Sequence, residues 1–298
     1  MNYRMLGSSS LQVSEIGFGC MSLAGTEEDN AKLLHQAVEY GINFFDTADL
    51  YNKGMNEVSI GKALKRKRHE IILATKVGNQ WREDGSGWDW NPRKEYILKA
   101  ADESLKRLQM DVIDLYQLHG GTIDDPIDET IEAFELLKQH GKIRFYGISS
   151  IRPNVIREYI KRSSLISVMM QYSLLDRRPE ECCLDLLSEN NIGVLVRGSL
   201  AQGLLVDKPY REYLGLSADE VAEANKAVKN LSGPARTPTQ TALRYVLNHP
   251  AVTSAVVGIR TAEQLDEAVA TVEMPLLSNQ QMVELRESVR NAKYEQHR

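Results

Sequence analysis

Cysteine is scarce, with three residues, Cys20, Cys182 and Cys183, in a chain of 298. An odd count with one adjacent pair does not make a disulfide framework, so a reducing, cytoplasmic setting is expected. The pair also lacks the spacing of a metal site and has no histidine nearby. It reads as two helix residues with one face buried, and no metal is expected. Long apolar runs are missing as well. Nothing approaches a membrane-spanning stretch, and the opening MNYRMLGSSSLQVS has no apolar core of signal-peptide length, so neither a span nor a leader is expected. Positive charge is not in excess: 36 Lys and Arg against 41 Asp and Glu leave a net charge of −5. That balance offers no footprint for a nucleic acid or an anionic membrane. No G-x-G-x-x-G stands between a strand and a helix, which argues against a Rossmann dinucleotide domain.

What the chain does have is alternation. Short apolar runs rich in Val, Ile, Leu and Phe recur at 14–21, 43–48, 70–77, 111–119, 143–150, 166–173, 193–199 and 254–259. Runs of this kind are how strands buried on both faces of a parallel sheet read. Amphipathic stretches lie between them at 27–39, 92–108, 128–139, 153–162, 179–190, 238–248 and 261–270. The first puts Ala31, Leu34, Ala37 and Val38 on one face; the second has Pro92 near its first turn; Gly141 stands where the third should be capped. Eight strand–helix units without a linker predict an α/β chain folded as a (β/α)8 TIM barrel in one domain over 1–298, rather than an open doubly wound sheet. The opening MLGSSSLQVS reads as a β-hairpin with SSS as its turn, placed to plug the N-terminal end of the barrel. Residues 204–237 form a long segment after strand seven with an added helix over 217–231, and segments of that length often serve as lids. A further C-terminal helix is expected over 278–292.

Barrels of this type carry their chemistry at the C-terminal ends of strands. Asp46 ends the second strand with Tyr51 in the following loop, Lys76 ends the third, and His119 ends the fourth. Each has a plain reading alone: a turn cap, a rim aromatic, a strand-end lysine in solvent, a satisfied core histidine. Together on adjacent strand ends they are expensive to bury without purpose. A carbonyl that receives a hydride becomes an alkoxide and needs a proton. A free phenol, with a pKa of about 10, is a poor acid at neutral pH, and a nearby ammonium lowers it. A carboxylate beside the ammonium keeps it charged, and an imidazole N–H can orient the substrate oxygen. Lys76 could instead form a Schiff base, as in barrel aldolases, but pairing with Asp46 counts against that.

The stretch GINFFDTADLYNKGMNEVSIG (41–61) resembles the aldo-keto reductase signature: a Gly, then Asp-Thr-Ala, a Tyr four residues after the Thr, then a Glu and a Gly. The likeness continues in order through ILATKVG (72–78), DVIDLYQLHGG (111–121), MQYS (170–173), RGSLAQGLL (197–205) and VVGIRTAEQLDEA (256–268), across nearly the whole chain. The resemblance implies an NADPH-dependent oxidoreductase that reduces aldehydes or ketones to alcohols, with Tyr51 as general acid, Lys76 and Asp46 behind it, and His119 on the carbonyl. It implies NADP(H) bound extended across the barrel mouth. Ser149 and Gln171 would meet the nicotinamide carboxamide, and Arg197 would take the place of an aromatic that stacks on the ring. Ser199, Leu200, Gln202 and Gly203 would form the pyrophosphate loop. Gly258, Arg260 and Gln264 would hold the adenosine end, with Arg260 on the 2′-phosphate. Cys20 and Met21, just after strand one, are expected to line the mouth. Ser150 and Ala268 stand where the family usually has Asn, and Asp49 and Asn56 also depart from common choices. Trp81, Trp88 and Trp90 read equally as walls of an apolar pocket or as staples for a loop. The expected partner is a small carbonyl compound, and the chain is expected to be a monomer. Some relatives with this fold are NADPH-binding regulatory subunits of ion channels. The intact group of four favours turnover here.

Overall fold

Inward and outward side chains alternate along eight parallel strands, and that alternation builds two separate cores. The computed structural model describes residues 1–298. A hairpin of β1 (Tyr3–Met5) and β2 (Gln12–Ser14) comes first. The barrel strands are β3 (Ile16–Gly19), β4 (Phe44–Asp46) and β5 (Ile72–Val77), then, after a small ribbon of β6 (Asn79–Trp81) and β7 (Trp88–Trp90), β8 (Ile113–Leu118), β9 (Ile143–Ser149), β10 (Ser167–Gln171), β11 (Gly193–Arg197) and β12 (Val252–Gly258). They close in the order β3-β4-β5-β8-β9-β10-β11-β12, with β12 paired to β3. The helices around them are α1 (Glu27–Glu39), α2 (Met55–Leu64), α3 (Lys94–Leu108), α4 (Ile127–Gln139), α5 (Pro153–Arg162), α6 (Cys183–Glu189), α8 (Pro238–Leu247) and α9 (Ala262–Ala270), with α7 (Ala218–Asn230) and α10 (Asn279–Glu287) added outside the repeat.

The inner core is small. Phe44, Ile72, Ala74, Leu115, Met169, Leu195 and Val256 fill the barrel, and Leu6, Leu11 and Val13 of the hairpin close it from below. Each of the larger side chains among them, removed from water, contributes about 1.5–3 kcal/mol. The hairpin is tied to the barrel floor by Arg4, whose Nη1 donates to Val252 O at 2.6 Å and whose Nε donates to the buried Glu15 at 2.7 Å. Gly17 is required on the inner face of β3, because a Cβ there would lie 2.8 Å from the Phe44 ring. The outer core of 70 buried residues lies between strand backs and helices.

Helix starts follow their caps. Thr26, Ser217, Thr237, Thr261 and Ser278 each accept a backbone N–H from the first turn of α1, α7, α8, α9 and α10. Several sequence boundaries need correction. No helix is read between Asp46 and Lys76, yet α2 lies there. Its start is hidden by a left-handed turn, and Gly61 interrupts its apolar face because a Cβ at that point would lie 2.3 Å from Leu108 O. The stretch 179–190 is not one helix: Cys182, with φ −160°, breaks it into a short 3-10 turn over Arg178–Glu181 and α6. The second amphipathic stretch begins only at Lys94, two residues beyond Pro92. The final helix stops at Glu287 rather than 292. The segment holding the three tryptophans is not a plain loop but the β6–β7 ribbon.

Candidate active site

Period two carries the interior upward into chemistry. Beyond Phe44 on the inner face of β4 stands Asp46; beyond Ala74 on β5, Lys76; beyond Leu115 on β8, Gln117 and then His119. Beyond Met169 stands Gln171, and beyond Leu195, Arg197. Register puts Lys76 opposite Gln117 and Gln171 opposite Arg197, so these groups form one polar layer over the apolar barrel.

Lys76 is the centre of that layer and is only 1% exposed. Its Nζ donates to Asp46 Oδ2 at 2.6 Å, to Thr47 O at 2.7 Å and to the Tyr51 hydroxyl at 3.3 Å. An ammonium has three N–H groups and no acceptor. All three are engaged, and the Tyr51 oxygen must be the acceptor, which turns the phenol's own proton away from the lysine. Burial opposes the charge on Lys76, but Asp46 and Tyr51 together outweigh it and hold the ammonium above the ordinary lysine range. A nitrogen engaged in this way is a poor nucleophile, which counts against the Schiff-base reading. Gln117, unread from the sequence, donates to the other Asp46 oxygen at 3.3 Å.

For Tyr51 the balance differs from the sequence expectation. Burial raises the phenol above its ordinary value, and Lys76 and Arg197 pull it back without overcoming that. His119 meets the Tyr51 ring edge-on, with centroids 5.8 Å apart at 85°. Burial, helped by Lys76 and Arg197, pushes its imidazole down to about 3, so it is neutral at physiological pH. Its Nδ1 is buried without a partner.

The Tyr51 turn rests on a buried polar cluster. Asn52, Lys53 and Gly54 are all left-handed, at φ 49°, 53° and 83°. Below them the fully buried Glu57 accepts from Thr75 Oγ1 at 2.6 Å, Arg107 Nε at 2.7 Å and Ser104 Oγ at 3.3 Å. Asp49 shares this pocket with no cation of its own. One carboxylate oxygen has no partner, and the other has only a long contact of 3.5 Å from the Tyr96 hydroxyl. Burial, with Glu57 adding to it, pushes Asp49 up to about 8. A folded-state value above the unfolded one means that the native protein holds the extra proton, so stability falls as pH rises from about 4 through about 8. Asp49→Asn is therefore expected to stabilise the protein by about 1–3 kcal/mol at pH 9 and to change little at pH 5. Urea unfolding at the two pH values measures this; equal effects at both would show that Asp49 does not titrate in that window.

The remaining sequence candidates follow the rim from β9 to β12 and back to β3. Ser149 is half-buried at the end of β9, whereas the Ser150 hydroxyl is engaged by Arg152 N at 3.2 Å. Gln171 Oε1 accepts from Arg197 Nη1 at 3.0 Å. Ser199 is buried and its hydroxyl has no partner; Leu200 is half-buried; Gln202 and Gly203 follow in a turn with φ 59° and 90°. Arg211 donates to the Gln202 side chain. Gly258 and Arg260 are exposed, and the Arg260 guanidinium makes no ion pair or hydrogen bond within the chain. Gln264, in the first turn of α9, accepts from Arg260 N at 2.9 Å through its Oε1. Cys20 is fully buried with its thiol against Phe18 O at 3.7 Å, so only Met21, 67% exposed, offers a side chain to the mouth. Asn56 ties Thr47 Oγ1, at 2.6 Å, to Cys20 O, at 2.9 Å. Ala268 is buried in the outer core, inside α9.

The tryptophans divide. Trp90 is a staple: its ring covers Gly78 and Gly120, and its Nε1 donates to Asp125 Oδ1 at 3.0 Å. Trp81 lies under Lys53, 5.2 Å from the ring centroid, with its Nε1 buried and unpartnered, and Trp88 is 47% exposed. After β11, residues 204–217 are held down by buried Leu204 and Leu205 and by Asn225 of α7, which donates to Leu204 O at 2.9 Å.

Comparison with known proteins agrees with the fold. A model of the Aldo/keto reductase family matches residues 15–290. The uncharacterized oxidoreductase YqkF of Bacillus subtilis is 50% identical, with 100% of both chains covered. The aldo-keto reductase yakc [NADP(+)] of Schizosaccharomyces pombe is 36% identical over 68% of this chain and 62% of its own. Among solved structures, the holo form of aldo-keto reductase AKR11C1 from Bacillus halodurans superposes with a TM-score of 0.93 at 51% identity, covering 100% of this chain and 99% of that one.

Proposed function

The chain belongs to the aldo/keto reductase family of oxidoreductases, and from that premise we propose that it reduces small aldehydes or ketones to alcohols with NADPH, using Tyr51 as general acid. One observation carries this reading. Lys76 donates to the Tyr51 oxygen, which leaves the phenol's proton free for a substrate oxygen at the mouth. The S. pombe relative is named for NADP(+), and the AKR11C1 structure is a holo form, which supports a bound nicotinamide cofactor for this chain too.

The residues present fit such a group. Ser199 has a buried hydroxyl without a partner, at the turn where backbone N–H groups could meet phosphate oxygens. Arg260 is a free cation at the start of α9, where the helix end adds positive potential. Ser149, Gln171 and Arg197 would hold the nicotinamide end; Ser199, Leu200, Gln202 and Gly203 the pyrophosphate; Gly258, Arg260 and Gln264 the adenosine end. When bound, NADPH supplies the hydride to the carbonyl carbon.

The chain's own residues do the rest. Neutral His119 donates an N–H to the carbonyl oxygen and orients it. Tyr51 protonates the same oxygen as negative charge develops there. Lys76, held charged by Asp46, stabilises the phenolate that is left. Gln117 keeps the Asp46 carboxylate turned toward Lys76.

The experiment is a fluorescence titration with NADPH and NADH on the native protein and Arg260→Ala. NADPH is expected to bind more tightly than NADH, and the substitution is expected to weaken NADPH about tenfold or more while leaving NADH unchanged, in keeping with the loss of a charge-assisted phosphate contact. Absence of binding by either nucleotide would overturn the cofactor reading.

A further inference from the structure

Gln171 is held by more than its strand. Asp176, in the turn after β10, is 1% exposed, and its Oδ2 accepts from Gln171 Nε2 at 3.0 Å. Arg178 grips the same carboxylate with both ends of its fork, Nε to Oδ1 and Nη2 to Oδ2, each at 2.7 Å. The backbone N–H of Asp176 is itself fixed by Ser173 Oγ at 3.1 Å.

A carboxylate can only accept, so it decides which end of the glutamine amide faces it: the NH2 end. The second N–H of that group goes to the Tyr213 hydroxyl at 3.2 Å. Both donors of Gln171 are then used on its far side. Its oxygen is left toward the mouth, where it accepts from Arg197 Nη1 at 3.0 Å and keeps one lone pair free.

We propose that Asp176 is a positioning residue for the nicotinamide end of the site. By locking the Gln171 amide it presents an acceptor and no donor to the cofactor, and through that oxygen it aims Arg197. This rests on the cofactor reading above. The chemical consequence is selectivity. A carboxamide, which brings N–H donors, is matched by Gln171 Oε1, whereas a carboxylate at the same ring position brings only lone pairs and is opposed by it. With Asn at 176, the side-chain oxygen is needed by Arg178, its NH2 faces Gln171, and the glutamine amide is free to turn a donor to the mouth.

The test is calorimetric binding of three nucleotides: NADP+, its nicotinic acid analogue (carboxylate for carboxamide), and 2′,5′-ADP, which lacks the nicotinamide half. Wild type is expected to bind NADP+ about tenfold or more tighter than the nicotinic acid form. Asp176→Asn is expected to shrink that ratio about tenfold and leave 2′,5′-ADP binding unchanged, which general loosening of the fold would not do. Tyr213→Phe, which leaves the carboxylate lock in place, is expected to keep the wild-type ratio. Arg178→Gln loosens the same carboxylate from its other side and should shrink the ratio too, so an Asp176→Asn protein that fails to fold does not spare the inference. A ratio unmoved by either change, or no discrimination in the wild type, overturns it while the cofactor reading stands. Failure of the wild type to bind any of the three nucleotides overturns that reading, and this inference with it.

Discussion

Replacing Tyr51 by Phe is expected to slow carbonyl reduction by about 10²–10⁴-fold and to leave nucleotide affinity unchanged. The ring stays in place against His119, and only the oxygen is lost. Lys76 keeps its two shorter contacts, to Asp46 at 2.6 Å and Thr47 O at 2.7 Å, so the layer beneath has no reason to rearrange. Single-turnover mixing of aldehyde with the nucleotide-loaded protein measures the rate, and a parallel titration measures affinity. Loss of affinity in step with rate would make Tyr51 a rim aromatic instead of an acid. The pH dependence has a definite sign as well. Reduction needs the phenol protonated, and Tyr51 is raised by burial, so the rate is expected to hold through neutral pH and fall only as the phenol titrates in the alkaline range. His119, down at about 3, contributes no step near the ordinary imidazole value of about 6.5.

Lys76→Met is expected to destabilise the protein by about 3–5 kcal/mol and to abolish turnover. Removing the ammonium leaves Asp46, 4% exposed, as a buried carboxylate whose remaining side-chain partner is Gln117 at 3.3 Å. The cost comes from the stranded charge rather than from the lost contact. A double variant, Lys76→Met with Asp46→Leu, removes both charges from the top of the barrel and is expected to regain most of the stability and none of the activity. Denaturant midpoints for the two variants separate these effects. A single variant as stable as the native protein would mean that the Asp46–Lys76 pair is not held ionised in the barrel.

The strands were legible because both of their faces are buried and their apolar runs are short and β-branched; all eight barrel strands lie on or beside the runs read from the sequence. Asp46, Lys76 and His119 were legible for a related reason, since each is a polar residue on the inward-facing period beyond the apolar interior of its strand, Asp46 and Lys76 one step past it and His119 two. The same alternation could have found Gln117, two residues before His119 on the same face, but a lone amide in an apolar strand has no motif of its own. What stayed hidden depends on contacts distant in sequence. The start of α2 lies behind a left-handed turn whose support, Glu57 with Arg107, spans 50 residues. The upward shift of Tyr51 arises from burial, which composition and spacing do not record. Asp49 looks like an ordinary turn aspartate until the neighbouring Glu57 takes the one arginine. Asp176 sits in a turn, five residues beyond the glutamine it holds.

The most direct test is to supply NADPH carrying deuterium at the transferable C4 position, add an aldehyde, and analyse the alcohol by mass spectrometry. Deuterium on the carbinol carbon of every alcohol molecule formed, with none formed when the nucleotide is omitted, is the expected result. Alcohol without deuterium, or no alcohol across a panel of aldehydes and ketones with the nucleotide bound, contradicts hydride transfer to a carbonyl as the work of this site.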